Sequence, residues 1–158
     1  MANTASLCTS FLSELMTGTH NFGVSPIRAA TTADTFKGAL YLASATYNAS
    51  TTAYSATGEV TGTNYTAGGV TVTNATPPAS TNTSATAGTA YWTPSASLTY
   101  TNVTLTTAFD TMLMYNSTQS NKAVGVFTFG SQTITAGTFT LTMPSNTTST
   151  ALVRLATT

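Results

Sequence analysis

The sequence predicts an all-β fold, namely an antiparallel β-sandwich of jelly-roll or immunoglobulin-like topology with one short N-terminal helix. About a quarter of the 158 residues are threonine, a β-branched residue that suits a half-buried pleated surface. Several short runs alternate apolar and polar residues, and turn residues separate them. Only one stretch, at the start of the chain, has helical periodicity. Spacing alone does not choose between the two topologies.

Composition narrows the classes of partner. Charged residues make up 5% of the chain and the formal net charge is zero, whereas ordinary domains are about 25% charged. We expect no nucleic-acid partner, because such binding needs clustered Lys and Arg. We expect no membrane partner, because no run of about 18 apolar residues occurs. The first residues do not resemble a secretory signal, and the single cysteine, Cys8, excludes an internal disulfide.

The N-terminal stretch predicts an amphipathic helix from Ser6 to Thr17, with Ser6 as N-cap and Gly18 as the C′ residue. Its apolar stripe consists of Leu7, Cys8, Phe11, Leu12, Leu15 and Met16. We therefore divide the chain into an N-terminal arm, residues 1–18, and a single sandwich domain, residues 19–158. A helix this short must pack on something, and we favour its own domain over a neighbouring subunit.

Alternation and turn residues predict the strands. The expected ranges are 36–43, 69–73, 89–92, 97–105, 109–115, 122–129, 133–143 and 151–155. A polar turn is expected at 116–121, a second turn at 130–132, and a bulge at Ala136-Gly137. The clearest alternation assigns Phe139, Leu141 and Met143 to the core face.

Two irregular segments stand out. The segment from Gly58 to Val72 is predicted to be a structural loop in which glycines turn the backbone and one tyrosine fixes it against the sandwich. Its key residues are Gly58, Gly62, Tyr65, Gly68 and Gly69. Residues 74–97 are predicted to form an extended loop stiffened by Pro77 and Pro78, and we consider it a contact arm.

The residues suggest no catalytic chemistry. The four acidic residues are scattered, no serine lies in a GxSxG motif, and His20 is the only histidine. A structural, hydrogen-bonded His20 is favoured over a ligand or a base. We expect no catalytic, cofactor-binding or metal-binding residues, and no enzyme activity.

Several stretches resemble small virion structural proteins of tailed bacteriophages, the head decoration or cement proteins. The resemblance covers most of the chain outside residues 74–97. It is carried by residues 36–41, 51–54, 58–62 with 65–69, 114–116, 121–124, 127–130, 137–141 and 143–144, and by the N-terminal residues 11–22.

The resemblance implies a protein on the capsid surface of a virion that binds the major capsid protein and stabilises the shell. It also implies a symmetric homo-oligomer, with a trimer favoured over a dimer. The helix and the 74–97 segment supply the candidate interface residues Leu7, Phe11, Leu15, Pro77, Pro78, Tyr91 and Trp92. Two alternatives stay open: a tail or fibre component that contacts the host, and a carbohydrate-binding module with Trp92 and Tyr91 as an exposed platform.

Overall fold

The chain folds into two antiparallel sheets and one short helix, which confirms the predicted all-β, sandwich-like class. The computed structural model describes residues 3–16, 18–22, 33–81 and 88–156. Within these ranges the elements are β1 (Ser6–Leu7), α1 (Thr9–Met16), β2 (Phe36–Leu42), β3 (Val70–Thr71), β4 (Ala79–Ser80), β5 (Thr89–Trp92), β6 (Leu98–Asn116), β7 (Lys122–Leu141) and β8 (Val153–Ala156).

The larger sheet has the strand order β1-β7-β6-β2-β3, and the smaller sheet has the order β4-β5-β8. The hairpin of β6 and β7 forms the centre of the larger sheet. In the smaller sheet β5 has the predicted bounds. The extended loop predicted at about 74–97 needs a correction before this strand, because Ala79–Ser80 form β4, which pairs with β5.

The β6–β7 hairpin replaces four shorter predicted strands. β6 has 19 residues and β7 has 20. The predicted turn at 130–132 is wrong, because β7 continues through it and Gln132 lies opposite Phe109. Pairing with β6 outweighs the weak local turn preference of Gly-Ser-Gln. The predicted interruption at Ala136 is confirmed, since its φ is 46° and the pairing register shifts nearby.

Register shifts between β6 and β7 bend the hairpin, so that one half of it folds back over the larger sheet. They are concentrated between Tyr100 and Thr111 of β6, where bulges increase the local bend. The Tyr100 hydroxyl consequently donates to the carbonyl of Gly38 on β2, at 2.8 Å. A Cβ at Gly38 would collide with the side chain of Leu98. The main core therefore lies between β2 and the two halves of this hairpin.

The helix is shorter than the sequence predicts. Ser6 is not its N-cap, because Ser6 and Leu7 form β1 and lie opposite Val126 and Gly125 of β7. The C-terminal prediction is confirmed, since Gly18 has a φ of 66°. The amide of Gly18 donates to Leu15 O at 3.0 Å, and the amide of Thr19 donates to Glu14 O at 2.8 Å. This pair of bonds is a Schellman motif.

The N-terminal segment shares the core of the strands. Cys8 and Phe11 are fully buried in the same apolar cluster as Phe36 and Leu113, so the helix lies on its own domain, as favoured from the sequence. Burial and the nearby charge of Glu14 raise the pKa of Cys8 to about 11. Among the described residues, no helix has the length and apolarity needed to cross a membrane.

Candidate functional site

An apolar recess lies where α1 meets the smaller sheet. It has a volume of about 110 Å³. Its lining comes from five parts of the chain and contains no charged residue. The lining residues are Phe11, Leu15, Phe22, Pro78, Ala90, Tyr91, Trp92, Val153 and Leu155.

Local structure explains why these residues meet. The pairing of Ala79 with Tyr91 sets Pro78 beside β5. Asn74 joins this region to the helix side, because its Nδ2 donates to Phe22 O at 2.7 Å and its Oδ1 accepts from Trp92 Nε1 at 3.1 Å. The rings of Phe22 and Trp92 pack edge to face, with centroids 4.7 Å apart. One amide side chain thus connects the floor of the recess to the proline-containing segment.

The recess brings together five of the seven candidate interface residues: Phe11, Leu15, Pro78, Tyr91 and Trp92. Pro78 is exposed, and Leu15 and Tyr91 are half-buried, so these three form its accessible rim. The helix and the 74–97 segment are distant in sequence, yet they contribute to one surface feature.

Two of the candidates need correction. Phe11 is fully buried and Trp92 is 2% exposed, so both belong to the core and form the floor of the recess. The helical periodicity correctly placed Phe11 on the apolar face of the helix, but that face packs into the core of the domain. The Trp92 indole also donates to Thr76 O at 3.0 Å. An exposed Trp92 platform for carbohydrate is therefore wrong.

The other two candidates lie outside the recess. Leu7 is half-buried and lines a separate surface depression with Leu152 and Arg154. Pro77 is exposed and does not line the recess.

Sequence reasoning missed three residues that line the recess, Phe22, Val153 and Leu155. The β8 residues follow a weak period-two pattern, and nothing in sequence places them opposite a helix.

A cluster of charged and polar side chains lies behind the helix. Glu14 accepts from Lys122 Nζ at 2.6 Å and contacts His20 Nε2 at 2.8 Å. Asn116 Nδ2 lies 3.1 Å from His20 Nδ1 and also donates to Asp34 Oδ2 at 2.7 Å. The cluster ties the helix, the segment after it and the 116–121 turn together.

The cluster fixes the orientation of His20. Asn116 Oδ1 accepts from the amides of Thr118 and Gln119, so its Nδ2 must face the histidine. His20 Nδ1 is therefore the acceptor, and Nε2–H donates to Glu14. Both ring nitrogens are occupied and the side chain is 0% exposed, which agrees with the predicted structural role.

Glu14 is held in its charged form. Burial alone would raise its pKa, but the hydrogen bonds from Lys122 and His20 and the charge of Lys122 outweigh burial and lower the pKa below its ordinary value of 4.5. The carboxylate therefore remains ionised at neutral pH, where it joins α1 to β7.

The glycine-rich loop is arranged around a buried carboxylate. Glu59 is 7% exposed. It accepts at 2.7 Å from the hydroxyls of Tyr54 and Tyr65 and from the amide of Gly68. The Tyr65 hydroxyl also accepts from the amide of Leu40 on β2, at 3.0 Å. Tyr65 thus fixes the loop against the sheet, as predicted.

Burial chiefly raises the pKa of Tyr54 and of Tyr65, and the hydrogen bond to Glu59 raises both further. Both phenols therefore stay protonated and keep donating to the carboxylate. Gly58, Gly68 and Gly69 have positive φ, as predicted for turning glycines. Gly69 and Gly62 also allow close approach, since a Cβ would collide with the carbonyl of Gly38 or of Thr104 respectively. The segment works as a structural loop.

The fold and site together define an all-β domain whose clearest surface feature is an uncharged apolar recess. In the described part of the chain, no group of three or more His, Cys, Asp or Glu side chains is placed to hold a metal ion. Comparisons with protein-family models, with curated proteins and with solved structures found no match.

Proposed function

We propose that this chain is a virion structural protein that decorates a capsid by binding major capsid protein subunits through the apolar recess. The observation that carries the proposal is the convergence of α1 and the proline-containing segment on one recess with an accessible rim. The resemblance of the sequence to head decoration proteins supplies the class of partner.

The size and chemistry of the recess indicate what it would accept. Its volume of about 110 Å³ is somewhat below the roughly 150 Å³ of an apolar cavity that holds benzene. It therefore suits a single apolar side chain on a surface segment of the capsid protein. An uncharged lining disfavours a charged side chain, because burying an unpaired charge is costly.

The distribution of charge also supports a structural role. All four acidic side chains take part in internal hydrogen bonds: Glu14, Asp34, Glu59 and Asp110. Few charges are left to steer a partner. A protein of this kind would bind by shape and hydrogen bonding, and repetition over a shell would strengthen weak contacts through avidity.

Binding to shells that lack this chain tests the proposal. Leu15→Gln places a polar group in the rim and is expected to weaken binding roughly tenfold, which corresponds to about 1.4 kcal/mol. Leu12→Gln is the matched control. Leu12 is 45% exposed on the same helix and does not line the recess, so its substitution should leave binding unchanged.

Mass spectrometry of purified particles tests the class of protein separately. A decoration protein is expected in copy numbers comparable to those of the major capsid protein. A few copies per particle, with labelling confined to the tail, would favour the tail or fibre alternative.

Equal binding of the Leu15→Gln and wild-type proteins to capsid shells would contradict the assignment of the recess as the binding site.

A further inference from the structure

A second surface depression lies where residues of β1 and β8 meet. Its volume is about 410 Å³. Its lining combines apolar side chains, hydroxyl groups and one basic group, so it differs chemically from the uncharged recess. The lining residues are Leu7, Thr89, Thr148, Leu152, Arg154 and Ala156.

The depression and the recess use alternate residues at the end of the chain. Val153 and Leu155 line the recess, whereas Leu152, Arg154 and Ala156 line the depression. Successive residues of a strand point to opposite sides of its sheet. The two features therefore lie on opposite sides of β8, and the depression is a surface of its own.

Arg154 has no carboxylate partner among the described residues. The ion pairs in that part of the chain both involve Glu14. The other acidic side chains of the sequence, Asp34, Glu59 and Asp110, form hydrogen bonds elsewhere in the fold. Because a guanidinium is charged in proteins, Arg154 presents a positive charge that no acidic side chain of this chain neutralises.

The guanidinium of Arg154 is held in place while part of it stays available. Its Nη1 donates to Ser149 O at 2.6 Å, and the residue is exposed. A guanidinium has five N–H donors in a planar fork, so this contact leaves donors for another acceptor. A carboxylate can accept two of them in parallel. Since one bond already restricts the side chain, less rotamer freedom is lost when a partner binds.

The rest of the lining indicates what accompanies that carboxylate. The hydroxyls of Thr89 and Thr148 can also donate to it. Leu7 and Leu152 are half-buried, so an apolar neighbour of the acidic residue would cover more of them. The volume exceeds the roughly 300 Å³ at which small binding sites begin. A single basic residue does not suit a nucleic acid, which needs clustered positive charge.

We propose that this depression binds an acidic segment of the major capsid protein, with an Asp or Glu carboxylate on Arg154 and an apolar neighbour against Leu7 and Leu152. The inference rests on the proposed function and adds a second contact of different chemistry. The recess disfavours a charge, whereas the depression selects one. It also gives a role to Leu7, an interface candidate from the sequence that does not line the recess.

Binding to capsid shells that lack this chain, measured at two salt concentrations, tests the proposal. Arg154→Gln is expected to weaken binding about fivefold at about 50 mM salt, as for a well-aligned exposed ion pair. The difference from the wild type should largely disappear at about 500 mM salt, because salt screens exposed charges. Lys37→Gln is the matched control, since it removes the same charge from β2, outside the depression, and should bind like the wild type.

Arg154→Lys separates charge from geometry. It keeps the positive charge but lacks the planar fork, so its binding should fall between those of the wild type and Arg154→Gln. Circular dichroism checks that all variants are folded. Wild-type binding by Arg154→Gln at low salt would overturn the inference. An equal loss at both salt concentrations would also overturn it, because that result indicates a structural role.

The same measurements distinguish this inference from the proposed function. If the wild-type protein does not bind shells, the proposed function fails and the acidic contact fails with it. If Leu15→Gln weakens binding and Arg154→Gln does not, the proposed function stands and only the depression is assigned wrongly.

Discussion

At the scale of single residues, the scarce charges serve as internal attachment points. Glu59 satisfies two phenols and one amide within the glycine-rich loop. Glu14 joins the helix to β7 through Lys122. In most proteins such residues lie on a solvated surface. Here their loss would leave buried donors without acceptors, which costs more than the loss of a surface ion pair.

Glu59→Gln is therefore expected to lower the free energy of unfolding by about 2 kcal/mol, because the amide cannot satisfy three donors as a carboxylate does. Urea unfolding measures the change. Thr61→Ala, an exposed neighbour in the same loop, is the control and should change stability by less than about 0.5 kcal/mol. Equal stability of the Glu59→Gln and wild-type proteins would contradict the role assigned to this carboxylate.

Sequence reasoning could predict Tyr65 and the glycines of this loop, because their conformational requirements are local. It could not find the partners of His20. The Schellman turn at Gly18 reverses the chain and returns His20 to Glu14, six residues earlier, while Asn116 arrives from the far end of β6. The only local signal for the contact of His20 with Glu14 was the short separation of Glu14, Gly18 and His20 in the sequence. The Asn116 contact depends on tertiary structure.

At the scale of elements, the bent β6–β7 hairpin determines where the core lies. Phe109 is fully buried and packs edge to face on Phe139, with centroids 5.1 Å apart. Phe139 itself is only half-buried. The period-two pattern predicted its face correctly. Its depth depends on how far the bulges bend the hairpin, and alternation contains no information about that bend.

The two phenylalanines allow a test of this packing. Phe109→Ala is expected to destabilise the protein by about 4 kcal/mol, as for a fully buried aromatic residue. Phe139→Ala should cost about 2 kcal/mol, because less of its surface is removed from water. Urea unfolding of both variants measures the difference. A larger loss for Phe139→Ala would show that the bend is assigned wrongly.

The attachment of α1 to β7 should depend on pH. The pKa of Glu14 is lower in the folded protein, so its stabilising contribution is present above the unfolded value near 4.5 and is lost as pH falls through the folded value. Between about pH 5 and pH 3, wild type should lose more stability than Glu14→Gln, whose side chain does not titrate. Unfolding curves at both pH values measure this, and equal losses would refute the role of Glu14.

The helix also shows a limit of periodicity. Its apolar stripe predicted packing on the domain, but it could not show that Ser6 and Leu7 extend into a sheet. Residues 3–16 therefore contribute to the core and are not a detachable docking arm. Their deletion is expected to destabilise the whole domain, since Phe11 and Cys8 would be removed with the helix.

At the scale of the whole molecule, the surface combines an uncharged recess, a depression that contains one arginine and a polar exterior rich in threonine. The sequence was sufficient to predict the all-β class and the two segments that converge on the recess. It could not separate floor from rim, because Tyr91 and Trp92 are neighbours in β5 that both line the recess and differ in how deeply they are buried. That difference depends on tertiary contacts, such as those of the Trp92 ring with Phe22 and Phe36.

A cryo-EM map of the complete virus particle would show whether this chain binds the capsid through the recess. We expect density for this chain at many equivalent positions on the head, with the rim of Leu15, Pro78 and Tyr91 against the major capsid protein and an apolar capsid side chain in the recess. Density confined to the tail, or a recess open to solvent on the head, would contradict this expectation.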